Sequence, residues 1–236
     1  MPLPPMPLRL TEIGAHERPD HFYIPEDSRC YFWGEYTPYE HTNGKKWNFS
    51  ATNQLISNFK KKMDRQGQSD WRYKQAAIRQ AAQSFAQFWR WNELYQHRVA
   101  LVPVPPSKAR TDPMYDPRMV QMLTQMIGIV GIQLDLRDCL AFSGRYAASH
   151  ESEDRPSPDE LYAELSFNGA AHRPDELPGV IFLFDDMLTT GAHYVAVTRK
   201  LAEAFPGVPV IGNFIARRAV PNPFIDLGEF DDLDDY

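Results

Sequence analysis

The amino-acid sequence predicts an α/β fold: a mostly parallel β-sheet flanked by helices, with a helical and aromatic N-terminal extension ahead of it. Three observations predict it. From residue 98 to residue 217, short apolar runs alternate with helix-length segments, the pattern of βαβ crossovers. Two of those runs, residues 98–104 and 179–184, are apolar with little alternation, as strands covered on both faces are. Residues 30–97 break that rhythm, being rich first in Tyr, Phe and Trp and then in alanine.

Taken in order, residues 1–29 carry prolines and charges without a helical or strand period, which suits an irregular arm on the surface or on a partner. Residues 31–33 read as an edge strand and Asn43-Gly44 as a turn. Residues 52–62 read as a short helix. After a loop at Gly67, residues 70–97 read as one long helix with Tyr73, Ala77, Ala81, Phe85, Phe88 and Trp91 on roughly one face. That apolar, regular stripe suits a core better than a base-stacking platform. The strand over residues 98–104 stops at Pro105-Pro106. A helix over 119–129 and a strand over 133–142 follow. Next comes a helix over 158–167, opened by Ser157 and Glu160 as a capping box. The strand at 179–184, a helix over 191–205 and a strand over 208–216 complete the pattern. Residues 226–236 are a run of acids broken by Leu227, Phe230 and Leu233, either a solvated tail or one that docks on a basic groove, its own or a partner's. The organisation is then an arm (1–29), an extension or hood (30–97), an α/β core (98–217) and an acidic tail (218–236).

Composition narrows the function classes. The 236 residues are 43% hydrophobic and 24% charged, which is ordinary globular usage and argues against wholesale disorder or a fibrous chain. A net charge of -6 argues against a protein whose main task is gripping duplex nucleic acid, with a local basic patch left open. Cys30 and Cys139 lack metal-ligand spacing and read as buried thiols of a reducing, cytoplasmic environment. The N-terminal residues do not form a secretory signal, and no apolar stretch reaches the roughly 20 residues that span a bilayer.

The most informative stretch is Asp185-Asp186-Met187-Leu188-Thr189-Thr190-Gly191-Ala192-His193. It follows an apolar strand expected to end at Phe184, so the two carboxylates lie where open α/β sheets bind ligands. A helix N-terminus with free N–H groups and flanking Thr hydroxyls is a ready phosphate site. Paired carboxylates repel phosphate itself but suit sugar hydroxyls or a hydrated Mg²⁺.

This stretch resembles the phosphoribosyl-diphosphate (PRPP) motif of the type I phosphoribosyltransferases: four apolar residues, two acids, two variable residues, then Thr-Thr-Gly. The resemblance implies that family's Rossmann-like α/β fold. It implies that Asp185 and Asp186 are the catalytic acids on the ribose hydroxyls. It implies that Met187, Leu188, Thr189, Thr190, Gly191, Ala192 and His193 hold the 5′-phosphate. The motif usually ends in Thr where this chain has His193.

A second match precedes it. Residues 101–110 (LVPVPPSKAR) form a strand, a rigid proline turn and two cations, most similar to the competence-protein F (ComF-like) branch. Ser107, Lys108 and Arg110 are the candidates for gripping pyrophosphate. The lesser alternative for Lys108 and Arg110 is a solvated loop. The branch continues with Arg-Gly-Phe-Asn, whereas here Tyr115-Asp116-Pro117-Arg118 follow, and its N-terminal cysteine module is lacking, so the likeness extends to the superfamily. Residues 143–156 occupy the place of the family's mobile lid, where Arg145, His150 and Arg155 are candidates to meet pyrophosphate oxygens, with plain surface solvation as the alternative.

The implied function is an Mg²⁺-dependent phosphoribosyltransferase. It would transfer phosphoribose from PRPP to a nucleobase or base-like acceptor with release of pyrophosphate. Mg²⁺ would be held chiefly through substrate, with Asp185 and Asp186 as possible direct contacts. The alternative is a non-catalytic PRPP or nucleotide sensor, or an effector subunit of a larger complex. A homodimer is implied by the family alone.

Overall fold

In the computed structural model, residues 5–144 and 156–221 are described. Along them run β1 (Thr11–Glu12), β2 (Arg29–Tyr36), α1 (Ala51–Phe59), α2 (Trp71–Phe88), α3 (Trp91–Gln96), β3 (Val99–Pro103), α4 (Arg118–Val130), β4 (Asp135–Leu136), β5 (Leu140–Phe142), α5 (Pro158–Glu164), β6 (Leu165–Phe167), β7 (Val180–Leu188), α6 (Ala192–Ala204) and β8 (Val210–Arg218). One six-stranded sheet has the order β1-β2-β8-β7-β3-β4, and β5 with β6 forms a second, two-stranded sheet. Neighbours from β2 to β4 are parallel, and only β1 runs antiparallel in the large sheet. The chain is therefore an α/β protein with a mostly parallel sheet flanked by helices.

Alternate side chains of the central strands feed two cores, because successive residues of a strand face opposite ways. Ala100, Val102, Ile181 and Leu183 join one core with α5, α6 and the small sheet. Val99, Leu101, Phe182 and Phe184 join the other with α1, α2 and α4. Burial on both faces is the physical reason these runs contain almost no polar residue.

Several elements differ from the sequence expectation. The strand at residues 31–33 is longer and is no edge: β2 lies between β1 and β8, so part of the expected extension belongs to the same sheet as residues 98–217. The expected long helix over 70–97 is two. Trp89 is extended (φ -121°, ψ 153°), its Nε1 donates to Asn213 Oδ1 (3.0 Å), and its ring meets Phe182 edge-on. The Trp91 indole N–H then donates to the carbonyls of Phe85 and Ala86, covering the end of α2. Tyr73 is exposed rather than part of the core stripe, and Lys74 beside it is buried.

The expected strand at 133–142 divides between two sheets. Buried Arg137 sits at the break, paired with Asp135 and donating to the carbonyls of Arg173 and Glu176. The helix expected to reach 167 stops at Glu164, and Leu165–Phe167 pairs with Leu140–Phe142 instead. Its capping box forms as expected: the Glu160 N–H donates to Ser157 Oγ, and the Ser157 N–H donates to the Glu160 carboxylate.

Candidate functional site

The topology selects one crevice. β3 leads through α4 to β4 on one side of the sheet order, and β7 leads through α6 to β8 on the other. α4 and α6 pack on opposite faces. The strand order thus reverses between β3 and β7, and the carboxyl ends flanking such a point are where open α/β sheets hold ligands. Asp185 and Asp186 lie there, and with Pro103, Pro105, Pro106, Asp116, Arg118 and Asp138 they line a narrow cleft of about 20 Å³. β7 does not stop at Phe184, as the sequence suggested. It runs on to Leu188, because Asp185 and Met187 still pair with Phe214 and Ala216 of β8.

The two acids have different environments. Asp186 is buried and accepts from Arg118 Nε (2.8 Å), from Arg118 Nη2 (2.5 Å) and from Lys60 Nζ (3.2 Å). Burial works against its charge, yet the Lys60 and Arg118 cations prevail and hold its carboxyl well below the ordinary range. Arg118 also donates to Asp116 (3.0 Å), and Asp116 accepts from the buried Lys74 Nζ (2.7 Å). Lys74 donates in addition to the carbonyls of Phe59 and Lys61, which ties the end of α1 to α2. Burial lowers the Lys74 pKa and Asp116 opposes it. Asp185 has only the Asp186 backbone N–H on its carboxylate (2.7 Å) among the described hydrogen bonds. Burial first and the neighbouring Asp186 charge second push its pKa up.

Sequence reasoning missed Lys60, Lys74, Asp116 and Arg118. The one local signal was the unusual 115–118 segment. Apart from Asp116 with Arg118, two residues apart, the pairing has no short-range signature, since the other partners lie 42 to 126 residues apart.

The Thr189–Thr190 turn after β7 is held by the N-terminal arm. Tyr23 N–H donates to Thr190 O (3.0 Å), and His21 Nδ1 bonds Thr189 O. A carbonyl only accepts, so Nδ1 carries the proton. Burial lowers the His21 pKa and favours this neutral ring. His21 Nε2 is buried without a partner among the described residues. The Arg18 guanidinium donates to the carbonyls of Pro25, Glu26 and Ser28, fixing the bend of the arm. The arm is therefore more ordered than its composition suggested, with β1 and a 3-10 turn at Arg18–His21.

Gly191 has φ +91°, and a Cβ there would lie 2.6 Å from Ile24 Cγ1 of the arm. Both the left-handed backbone and this contact exclude a side chain. Gly191→Ala is expected to lower stability by about 1–3 kcal/mol, the range for a strained backbone position. Urea unfolding checks this, and an unchanged midpoint would detach the arm from the turn. Gly191 is the N-cap of α6 and provides no side-chain cap, and Ala192 and His193 open this 13-residue helix. The His193 ring meets Phe142 edge-on at 6.0 Å.

The pyrophosphate candidates disperse. Arg110 pairs with Asp138 (2.5 Å), a cleft residue, and its guanidinium lies over the Tyr115 ring. Lys108 pairs with Asp112 (3.7 Å) and is half-exposed. Ser107 is partly buried and does not line the cleft. Arg145, His150 and Arg155 lie outside the described residues. Both cysteines are buried as expected, and burial pushes the thiol of Cys30 up to about 12 and that of Cys139 up to about 11, so neither is a nucleophile at neutral pH. Among the described residues no helix is long and apolar enough to cross a membrane.

Fold and site together define an α/β protein with an acidic, cation-braced cleft at its topological switch point. Compared with known proteins, the chain matches no family model and no curated protein.

Proposed function

We propose that this chain is a phosphoribosyltransferase of the type I class, binding PRPP with Mg²⁺ at the switch-point cleft and transferring phosphoribose to a nucleobase-like acceptor. The observation that carries the reading is one continuous stretch: an acid pair at the carboxyl end of β7, then Thr189-Thr190-Gly191, then the N-terminus of α6. In this reading Asp185 receives the ribose hydroxyls, because Asp186 is already satisfied by Arg118 and Lys60. The donor set bears on the metal in the same way. One weakly bonded carboxylate, that of Asp185, suits a hydrated Mg²⁺ held mostly by substrate oxygens. When bound, the ion supplies charge neutralisation at the diphosphate. Positioning and electrostatic stabilisation of the leaving group fall to Arg118, Lys60 and the loop after β3.

A second reading has its own support. Ile24 packs on Gly191 and the arm bonds the Thr189–Thr190 carbonyls, an arrangement that suits a sensor with a braced ligand loop as well as an enzyme. Calorimetric titration with PRPP and Mg²⁺, followed by pyrophosphate release across free bases, separates the two. Binding with base-dependent release is the expected result. Binding without release for any base selects the sensor, and no binding removes both.

A further inference from the structure

The acidic average of the chain hides a segregated charge pattern. Between His41 and Lys74 there are eight Lys and Arg residues and two acids, whereas the rest of the chain has 17 against 29. Lys60, Lys61, Arg65 and Lys74 have carboxylate partners. Lys45, Lys46, Lys62 and Arg72 are exposed, and each lacks an acidic partner among the described residues. Exposed aromatic rings stand among them. Tyr39 is 55% exposed, Trp47 54% and Tyr73 46%. Lys46 Nζ lies 5.6 Å from the Tyr39 ring centre and the Arg72 guanidinium 5.0 Å from that of Tyr73. These groups flank α1 at its two ends, roughly 14 Å apart by helical rise. Two groups of exposed rings and of cations without acidic partners therefore stand at the two ends of α1, a combination suited to binding an acidic, aromatic segment.

The chain departs from the sheet beside this surface. The Ala219 N–H donates to Tyr36 O (2.9 Å), and Arg218 pairs with Glu40 (3.3 Å), so the backbone leaving β8 is bonded to the segment that leads into Tyr39. Beyond Pro221 come residues 222–236, which contain six acids, Phe224, Phe230 and Tyr236, and no Lys or Arg. Fifteen residues reach at most ~50 Å, several times the length of α1.

We propose that the acidic segment 226–236 docks within its own chain on the basic aromatic face at the two ends of α1. Charge sign, apolar content and point of exit all match. Lys60, at the end of α1, is bonded to Asp186, which connects this part of the molecule to the cleft.

The test is zero-length carbodiimide crosslinking of the full chain with peptide mapping of the monomer band. The Lys61–Asp70 pair (2.9 Å) serves as the internal positive control. Links from Lys45, Lys46 or Lys62 to acids of residues 226–236 are expected. Their yield should fall about fivefold in 0.5 M NaCl, where exposed charges are screened. Arg72→Glu should reduce the Lys46 and Lys62 links while leaving the Lys61–Asp70 link unchanged, although arginine itself does not crosslink. Absence of tail links beside a positive control overturns the proposal. So do links found only between two chains, or a yield indifferent to salt and to Arg72→Glu.

Discussion

Asp186→Ala is expected to lower the unfolding free energy by about 3–5 kcal/mol, the range for breaking a buried ion pair on one side. The removed carboxylate is the common acceptor of Arg118 and Lys60, and its side chain is only 5% exposed. Without it the Arg118 guanidinium keeps Asp116 alone, and Lys74 competes for the same oxygen of that residue. The chain Lys74–Asp116–Arg118–Asp186–Lys60 joins α1, α2, the start of α4 and β7, so its loss is felt across the face built on α1, α2 and α4. Equilibrium urea unfolding measures it. A loss below ~1 kcal/mol, the typical worth of an exposed pair, would mean that the network is solvated and not a brace.

Asp185→Asn is expected to behave oppositely: little or no loss of stability, and at least about 100-fold weaker binding of PRPP with Mg²⁺, the scale of losing one positioned charged group in a site. The neighbouring acids differ because their partners do. Asp185 is crowded by the Asp186 charge and by burial, so its folded-state pKa stands above the unfolded one. A raised carboxyl pKa contributes fully below the unfolded value of about 4, and that contribution is lost as pH rises through the folded value. Asp186 is the reverse: its contribution is present above the unfolded value and is lost as pH falls through its depressed folded value. Asp185→Asn should therefore gain stability relative to the parent chain between pH 5 and pH 8, most at the upper end. Unfolding curves at both pH values, with calorimetry at pH 8, check both halves. Parent-like affinity in Asp185→Asn would remove this residue from the ligand site.

Two features account for what was legible in advance. The strands of residues 98–104 and 179–184 stood out because both faces of a parallel sheet exclude polar side chains, a constraint written into each residue of the run. The capping box at Ser157 and Glu160 stood out because its partners are three residues apart. Elements whose causes are not local depart from the sequence expectation. The long helix over residues 70–97 breaks at Trp89 for the sake of Asn213, a partner 124 residues away. The strand over 133–142 divides at Arg137, which answers to Arg173 and Glu176.

The site divides along the same line. The succession of apolar run, acid pair, Thr-Thr-Gly and helix is contiguous, so the sequence by itself determined that a carboxylate pair would precede a helix N-terminus at the end of a buried strand. Only the tertiary structure decided which carboxylate is available. Asp185 and Asp186 are equivalent as letters, and they become inequivalent when Arg118 arrives from 68 residues away and Lys60 from 126, neutralising one acid and leaving the other in a crowded, half-buried position. The same holds for the arm, whose composition reads as irregular until His21 and Tyr23 find the carbonyls of Thr189 and Thr190. Local pattern specifies an element because its causes lie within a few residues. Charge state and the bracing of a ligand loop depend on groups that only the folded chain brings together.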